Sequence, residues 1–568
     1  MRGPLRIESD ALARIALALA LAAAAVLVLH LTRGTTLWFD EWVWVMDRRG
    51  SSAGTFLEPH NGHFSLVPIV LYKLLFATAG LDDYVPYRVM IIAAHALCAG
   101  LVFVYARRRV GGLGALVAAG LILTLGPAWQ NFLWPFQVGW LVSLAAGLGA
   151  LLLLDREDRA GDVSAAVLLA VALASSGLGI PIAAGLLVEL LWGRRSLRAT
   201  WIAAVPLALY AAWWLVYQDT EVIRGNIFLV PGFTADGAAG ALGALTGLAD
   251  VRTNADGLLM DGGTFAWGRP LAVAGVALVA WRLARMGPVP ARVFTLLAIP
   301  LAFWMLTGLQ RAHVGVADSS RYLYVGALFV VLLAIELLRG VTVPRWPAVA
   351  VVVAAGLAMF SNLGDMRTGA RYLRAQAPLA RGDLAALELA RASVPPGYDA
   401  KSFPGTPFIT LRADAYFAAA KAYGTPAYTP AELAAAPESA RGTADAELEA
   451  IHDVEVAAAP ATAPAEAAPT VEAVSGGSQT AADGCVRFRP NGAQPAVLRL
   501  TVPPGGLLLK AVGGPAKVSV RRFATVFPAE PLTTLSGSGV LKIDPDRAPQ
   551  PWHVQLTPAA SAEACSVA

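Results

Sequence analysis

The chain has 568 residues, of which 56% are hydrophobic and only 15% are charged, and its mean hydropathy is +0.57. Because a soluble domain carries about 25% charged residues, this composition excludes an ordinary soluble globular protein. The net charge of +4 is small, and the arginines punctuate apolar blocks without forming a basic face, so no nucleic-acid partner is expected. The excess of Arg over Lys, with abundant Ala, is typical of a GC-rich bacterial genome.

The amino-terminal segment carries three arginines and then an apolar run from Ala16 to Leu31. A signal peptide has a shorter apolar stretch of about 7–15 residues and a small-residue cleavage site. No Ala-x-Ala motif follows this run before Asp40. We therefore predict an uncleaved first spanning helix.

Ten further apolar segments follow, so the sequence predicts a mainly α, polytopic membrane protein with about eleven transmembrane helices in residues 1–361. The two segments within 163–192 are short, and the sequence leaves open whether they form one helix or two. The ten segments are 86–106, 111–127, 136–154, 163–178, 180–192, 200–217, 270–284, 292–309, 322–338 and 345–361.

Clusters of arginine alternate with other loops and fix the predicted topology. By the positive-inside rule the arginine-rich loops are cytoplasmic. The opposite loops are rich in Trp, Gly, Pro and Asp, so we expect a plasma-membrane protein with a cytoplasmic amino terminus and an extracytoplasmic carboxy-terminal region. The clusters are Arg107–Arg109, Arg156 with Arg159, Arg194 with Arg195 and Arg198, Arg282 with Arg285 and Arg292, and Arg339 with Arg345.

One apolar segment, 64–80, does not fit this alternation as a span. Its 17 residues reach roughly 25 Å as a helix, against a hydrocarbon core of ~30 Å, and they include Pro68 and Lys73. We therefore predict a juxtamembrane helix over 64–80 at the outer interface, within a first external loop of 32–84. A second long external loop is predicted at 218–270.

The adjacent acids Asp40 and Glu41 follow the first span and have tryptophans on both sides. At the C-terminus of a helix, two carboxylates face the unfavourable end of the dipole. One interpretation is a polar stop at the membrane surface. The other is a general base held where a lipid-borne substrate is met.

Several other polar residues lie at predicted outer membrane edges, each with an ordinary and a functional interpretation. His60 and His63 could cap the juxtamembrane helix, bind a metal or phosphate, or assist proton transfer. Arg88, at the start of the second span, and Arg321, before the tenth, are either interfacial anchors or phosphate contacts. Tyr322 follows Arg321 directly.

Taken together, these motifs resemble the GT-C glycosyltransferase superfamily, most closely the branch of protein O-mannosyltransferases and the lipid A aminoarabinose transferase. The resemblance rests on the Asp-Glu pair, the stretch "HFSLVPIVLYKLLFATAG", the second span opening with Tyr-Arg, and Ser-Arg-Tyr-Leu at 320–323. It covers residues 1–110 and, to a lesser degree, 310–340. His63-Phe64-Ser65-Leu66 stands where the family has a His-Pro-Pro-Leu-type motif.

The resemblance implies an inverting glycosyltransferase that uses a polyprenyl-phosphate-linked sugar donor, with Asp40 as the catalytic base and Glu41 supporting it. Arg321 would contact the donor phosphate. The second external loop lacks the acid that many family members have, so no metal or other cofactor is predicted. Gln130 and Asn131 in that loop are expected to bind sugar. The acceptor is a glycan, lipid or protein of the envelope, and membrane lipids are the remaining partners.

Two other classes of function compete with this one. A transporter or flippase for envelope precursors would need charged residues at mid-bilayer, whereas the strongly polar residues gather in external loops. A non-catalytic scaffold descended from a transferase is compatible with the altered motif and the missing acid. Motifs for nucleotide binding, zinc proteolysis and serine hydrolysis are not found.

The region after the last span has a different composition. Residues 362–455 read as an extracytoplasmic mixed α/β unit, 456–483 as an Ala/Pro-rich linker, and 484–568 as a small β-sandwich. Cys485 and Cys565 bracket this last domain, as a disulfide in an oxidising exterior or as two free thiols. Carbohydrate binding and plain stabilisation both stay open for it.

Overall fold

The computed structural model describes residues 4–193, 197–217, 223–251, 266–400, 407–459, 468–492 and 495–567. These residues form two compact units. One contains Met1–Thr35 and Asp47–Arg374, and the other contains Thr36–Met46 and Ala375–Ala568. The predicted boundary at residue 361 therefore differs from the observed division, and the segment with Asp40 and Glu41 belongs to the second unit.

The structure is mainly helical, as predicted, and its helices follow the apolar runs of the sequence. Short 3-10 turns lie at Gly126–Ala128, Pro135–Gln137, Leu197–Thr200, Arg224–Phe228 and Ala312–Val314. The helices are α1 (Pro4–Leu31), α2 (Asp40–Asp47), α3 (Gly54–Leu57), α4 (Leu66–Thr78), α5 (Val85–Leu123), α6 (Gln130–Leu133), α7 (Val138–Leu154), α8 (Arg159–Leu173), α9 (Gly179–Trp192), α10 (Trp201–Tyr217), α11 (Val230–Thr246), α12 (Gly268–Arg285), α13 (Ala291–Arg311), α14 (Ser320–Leu337), α15 (Arg345–Leu389), α16 (Ala413–Tyr423), α17 (Pro430–Ala435) and α18 (Glu438–Ile451).

Seven helical stretches among the described residues are long and apolar enough to cross a membrane, which makes the chain a multi-pass membrane protein. The number of eleven spans is not confirmed, because α8, α9 and α12 do not meet the same standard. The orientation of the termini stays a prediction. The seven stretches are Ala11–Leu31, Val85–Leu123, Pro135–Leu154, Arg198–Tyr217, Ala291–Val314, Ser320–Leu337 and Arg345–Leu389.

Two features of the helices refine the predicted spans. The path of α5 breaks at Gly111, whose φ of 84° lies in the left-handed region that favours glycine, so α5 covers two predicted spans. The apolar residues within 163–192 form two helices, α8 and α9, with a turn at 174–178 between them. The segment predicted as a juxtamembrane helix contains α4, which has only 13 residues.

The prediction of an external loop over 218–270 is wrong for part of that range. It contains α11, a helix rich in Gly and Ala. Small residues allow this helix to pack closely, since a Cβ at Gly237 would lie 2.6 Å from the Trp304 ring. Residues 218–222 and 252–265 of the predicted loop lie outside the described residues.

A partly buried ion-pair network joins helix ends that carry two of the predicted cytoplasmic arginines, Arg109 and Arg292. Arg109 of α5 pairs with Glu336 of α14 (2.5 Å) and with Asp155 at the end of α7 (3.2 Å). Arg292 of α13 pairs with the same Asp155 (2.9 Å) and with Glu189 of α9 (2.7 Å). Five helices therefore meet at one end of the first unit, which agrees with their placement on one side of the membrane.

The described part of the second unit combines the end of α15 and helices α16–α18 with eleven strands. All strand pairs are antiparallel, and they form a sheet in the order β1-β9-β6-β11-β4-β3 and another in the order β2-β5-β10-β7-β8. Alternate residues are buried along β10, as expected for a sheet with one covered face. The strands are β1 (Val456–Ala458), β2 (Val471–Ser475), β3 (Gly477–Ala482), β4 (Cys485–Pro490), β5 (Val497–Thr501), β6 (Leu507–Val512), β7 (Ala516–Arg521), β8 (Thr533–Leu535), β9 (Ser538–Leu541), β10 (His553–Pro558) and β11 (Ser561–Ser566).

The predicted linker at 456–483 is wrong over most of its described part. Strands β1, β2 and β3 lie inside it and pair with strands of both sheets, so the β region begins before residue 484. Residues 460–467 lie outside the described residues. Cys485 of β4 and Cys565 of β11 stand opposite each other in the sheet and form a disulfide.

Carboxylates fix α18 to the β region. Asp445 accepts hydrogen bonds from the backbone N–H groups of Arg522, Phe523 and Ala524 at 2.8–3.0 Å. Glu438 accepts from the N–H groups of Thr525 and Val526. Because these carboxylates satisfy the backbone donors of the turn after β7, the helix and the sheets form one unit.

Candidate functional site

The predicted catalytic pair lies at the start of a helix, not at the end of one. α1 ends at Leu31, and Gly34, with a φ of 77°, turns the chain away before α2 begins at Asp40. The predicted position at a helix C-terminus is therefore wrong. The N-terminus of a helix is the end at which acidic side chains are favourable.

The two acids have different surroundings. Glu41 is fully buried, and its Oε2 accepts a hydrogen bond from the backbone N–H of Trp38 at 2.8 Å, as in one half of a capping box. Asp40 is 6% exposed and directly precedes it. The contact assigns Glu41 a structural role in shaping the turn that carries Asp40.

The turn before Asp40 is strained and anchored within the second unit. Phe39 has a φ of 54°, an uncommon conformation for a bulky residue. Its backbone N–H donates to the Pro407 carbonyl at 2.6 Å, and the Trp42 ring packs edge-on against Phe408 and Tyr416. Such strain persists only where the surroundings over-determine it, and it is concentrated at functional sites.

His60 and His63 lie on either side of a tight turn in the first unit. Each donates its backbone N–H to the other's carbonyl, at 3.0 and 2.9 Å. Asn61 and Gly62 between them both have positive φ, the geometry of a type I′ turn that Asn-Gly favours. Ser65 occupies the N-cap position of α4 and makes no side-chain capping bond, so neither histidine stands at the cap and the predicted capping role is wrong.

The His63 ring is buried against the α8–α9 turn, where a Cβ on Gly177 would lie 2.8 Å from Nδ1. Burial, together with the nearby charges of His60 and Arg311, lowers the pKa of His63 to about 4. The imidazole is therefore neutral near pH 7. His60 is also buried, and its ring lies edge-on to Phe136 of the second predicted external loop, with the ring centroids 5.4 Å apart.

The second predicted external loop is bonded to the start of α14. The Gln130 backbone N–H donates to Ser320 Oγ at 3.2 Å, and the Asn131 amide donates to the carbonyls of Ser320 and Arg321 at 3.3 and 3.2 Å. The loop also lies against α15, because a Cβ on Gly126 would come within 1.8 Å of the Asn362 carbonyl oxygen. These contacts bring three of the predicted substrate-binding residues together at one helix N-terminus.

Arg321 and Tyr322 stand in the first turn of α14, where backbone N–H groups and the dipole favour an anion. The half-buried Arg321 guanidinium lies 5.4 Å from the Tyr322 ring centroid. Tyr322 itself is buried and stacks on Trp140. Its surroundings assign it to packing, and Arg321 is the side chain of the pair suited to a phosphate.

Arg88 joins α5 to the end of α1, a contact that was not predicted from the sequence. It is 7% exposed, its Nε donates to Thr32 Oγ1 at 2.8 Å, and Nη2 donates to the Leu29 carbonyl. The guanidinium therefore satisfies the Leu29 carbonyl, one of the last four of α1, and fixes α1 to α5. The apolar surroundings gave no sign of this contact in the sequence.

Three residues at this end of the first unit were not selected from the sequence. Asp318 and Gln137 are buried polar residues beside the groups already described. Arg48 is 5% exposed and organises the first loop, donating to the Pro59 carbonyl at 2.8 Å. The only sequence feature that could have identified them is a polar side chain next to a predicted span boundary. The sequence does not show that such a side chain is buried.

The predicted site residues thus fall into one group in each compact unit. In the first unit, Gln130, Asn131 and Arg321 gather at the start of α14, with the His60–His63 turn contacting the same loop. In the second unit, Asp40 and Glu41 begin α2. The chemistry available is a buried carboxylate, a guanidinium at a helix N-terminus, and neutral amides and imidazole.

No protein-family model and no curated protein matches the chain.

Solved structures to which this one is similar include ArnT from Cupriavidus metallidurans, bound to undecaprenyl phosphate and in the apo state. The first has 17% identity, covers 71% of this chain and 87% of ArnT, and gives a TM-score of 0.41; the second has 16% identity, covers 72% and 89%, and gives 0.42. The arabinosyltransferase EmbB from Mycobacterium smegmatis has 12% identity, covers 97% of this chain and 64% of EmbB, and gives a TM-score of 0.34. At identities below 20% and TM-scores below 0.5, these likenesses carry no argument about family, activity or site, and the resemblance to GT-C glycosyltransferases stays a prediction from the sequence.

Proposed function

We propose that the chain is an inverting glycosyltransferase. It moves a sugar from a polyprenyl-phosphate-linked donor to an envelope acceptor at the outer face of the plasma membrane, with Asp40 as the general base. The observation that carries the proposal is the position of Asp40. A nearly buried carboxylate begins α2 after a left-handed Phe39, directly downstream of the first predicted span.

The reaction is a single displacement at the anomeric carbon. The acceptor hydroxyl oxygen forms the new bond to that carbon as the bond to the phosphate oxygen breaks, and the proton of the hydroxyl passes to the Asp40 carboxylate. The electron pair of the broken bond leaves with the polyprenyl phosphate. One in-line attack inverts the anomeric configuration, and general-base assistance is typically worth about 10²–10⁴-fold in rate.

The departing phosphate carries the charge that the protein must stabilise. Arg321 is the residue proposed for this role, because its planar fork suits two phosphate oxygens and it stands in the first turn of α14. The bonds from Gln130 and Asn131 to Ser320 and Arg321 support the role, since they hold the helix start in place before a donor binds.

The test of Asp40 compares envelope glycan composition in cells that carry a deletion, Asp40→Asn or the matched control Asp47→Asn. Asp47 ends the same helix and is exposed, so the control changes the same functional group at a position without a proposed role. We expect Asp40→Asn to lose the same sugar as the deletion and to accumulate the lipid-linked donor, with both variants present in the membrane. Wild-type glycans with Asp40→Asn, beside a deletion phenotype, would instead favour a transporter or scaffold.

Arg321 has a separate test, in which undecaprenyl phosphate serves as the probe because it is the lipid bound in the ArnT structure. Arg321→Lys keeps the charge and loses the bidentate fork, so we expect binding to the purified protein to weaken about tenfold. Arg345→Lys, at the exposed start of α15, is the control and should bind as wild type. Equal binding by both variants would remove Arg321 from the phosphate site.

A further inference from the structure

The loop before α7 holds two buried glutamines whose side-chain oxygens have no hydrogen-bond donor among the described residues. Gln130 is 7% exposed and Gln137 is 2% exposed. The Oε1 atom of each is buried and accepts no hydrogen bond from any residue that the structure describes. An acceptor left in this state costs about 1–3 kcal/mol, so a donor supplied from outside the protein is the natural partner.

The position of the loop indicates which ligand supplies that donor. Gln130 is bonded through its backbone to Ser320, one residue before Arg321. Phe136, the neighbour of Gln137, contacts the His60 ring. The two amides therefore belong to the loop that covers the start of α14, where the donor phosphate is proposed to bind, and the group attached to that phosphate is a sugar.

A sugar matches the chemistry of these side chains. Each hydroxyl group both donates and accepts a hydrogen bond, and so does an amide. A site whose buried polar groups are paired only by a substrate hydroxyl rejects ligands that lack it, because the groups are then left unpaired. Such groups determine specificity more strongly than apolar contacts.

We propose that Gln130 and Gln137 bind hydroxyl groups of the donor sugar and so determine which lipid-linked sugar the protein accepts. The proposal rests on the proposed function for the identity of the ligand. Gln137 is the new member of the pair, since nothing in its sequence context distinguishes it from an interfacial residue. At both positions the loop recognises the sugar through hydrogen bonds to a neutral amide.

The test uses the purified full-length protein in nanodiscs with defined lipids. The probes are undecaprenyl phosphate alone and undecaprenyl phosphate carrying arabinose, mannose, glucose or galactose. Binding is measured for wild type, Gln130→Leu, Gln137→Leu and the control Gln376→Leu. Gln376 is a matched control, because it is 3% exposed and its Oε1 is likewise unsatisfied among the described residues, but it lies on α15 in the second unit.

We expect at least one sugar-bearing lipid to bind wild type more tightly than the bare lipid. Gln130→Leu and Gln137→Leu should each lower that gain about tenfold without changing the affinity for bare undecaprenyl phosphate. Gln376→Leu should bind every probe as wild type. Gain of thermal stability in Gln137→Leu with unchanged binding would mean that only water pairs with the amide, and the proposal would be wrong.

Two further outcomes overturn the proposal. If no sugar-bearing lipid binds better than the bare lipid, or if the variants weaken both kinds of lipid equally, the amides do not contact the donor sugar. The readout is independent of catalysis. If binding depends on the sugar and on Gln137 but the protein has no transfer activity, only the proposed function is contradicted. If Gln137→Leu transfers sugar as wild type does, only this inference is contradicted.

Discussion

Glu41 is one of the groups that hold the turn carrying Asp40, and Glu41→Ala tests how much this carboxylate contributes. Glu41 is fully buried, and its Oε2 lies 2.8 Å from the Trp38 backbone nitrogen. A hydrogen bond to a charged group contributes about 1.5–3 kcal/mol. A loss of about 2 kcal/mol raises the opening equilibrium of the turn roughly 30-fold. Glu41→Gln keeps an acceptor oxygen without the charge, so about 1 kcal/mol and a roughly fivefold increase are expected.

Hydrogen–deuterium exchange of the peptide that covers residues 36–46 measures this opening directly, because local unfolding controls exchange of its amides. Asp47→Ala, which removes an exposed carboxylate from the other end of α2, is the control and should leave the exchange rate unchanged. Glu41→Gln should also keep most of the transfer activity. Exchange in Glu41→Ala equal to wild type would refute the structural role of Glu41.

Two other predictions concern buried charge in the first unit. The pKa of His63 is about 4 in the folded protein and about 6.5 in the unfolded chain, so the stability that its neutral form contributes is complete above pH 6.5 and is lost as the pH falls towards 4. The thermal midpoint of wild type should therefore fall more steeply over this range than that of His63→Gln, with His30→Gln, exposed on α1, behaving as wild type; parallel curves would contradict the assignment. Glu336→Leu leaves the Arg109 guanidinium without its closest carboxylate and should destabilise the protein by about 3–5 kcal/mol, measured as a shift in thermal midpoint. Adding Arg109→Leu should recover part of the loss in stability. The control is Glu388→Leu, which breaks a more exposed pair with Arg391 and should cost about 1 kcal/mol or less. Equal shifts in thermal midpoint for the two glutamate variants would contradict a special role for the network.

The spanning helices were the most predictable part of the fold, because a long apolar run between charged loops has few other structures available. The predicted span 136–154 corresponds to α7, and 292–309 corresponds to α13, each within two residues at both ends. The arginines that set the topology also meet in the structure. Arg109 and Arg292 share Asp155, as groups on one side of a membrane can.

Small residues misled the sequence interpretation in two places. The run of Gly and Ala in α11 looked like loop composition, but here it reflects close packing of the helix against Trp304. The Ala/Pro-rich stretch at 456–483 looked like a linker because its short strands carry few large side chains. Pairing with long-range partners such as β5 decides its structure, and the local sequence does not encode those partners.

Within the candidate site, the sequence identified residue types better than their surroundings. Asp40 and Arg321 were selected from their positions in the family resemblance, and Gln130 and Asn131 as the amides of the second external loop, where many family members have an acid. The left-handed Phe39, the bond from Trp38 to Glu41 and the burial of Gln137 depend on tertiary contacts, which no local pattern reveals. For Arg88 the residue type suggested a ligand contact, whereas in the structure its guanidinium joins two helices.

The central claim is that Asp40 takes the proton of the acceptor as the sugar is transferred. The most direct measurement is the release of undecaprenyl phosphate from undecaprenyl-phosphate-linked sugars by purified wild type, Asp40→Asn and Asp47→Asn in the presence of an envelope acceptor fraction. The account predicts release by wild type and by Asp47→Asn, and a rate at least about 100-fold lower for Asp40→Asn with donor binding retained. Equal rates for Asp40→Asn and wild type would contradict the account.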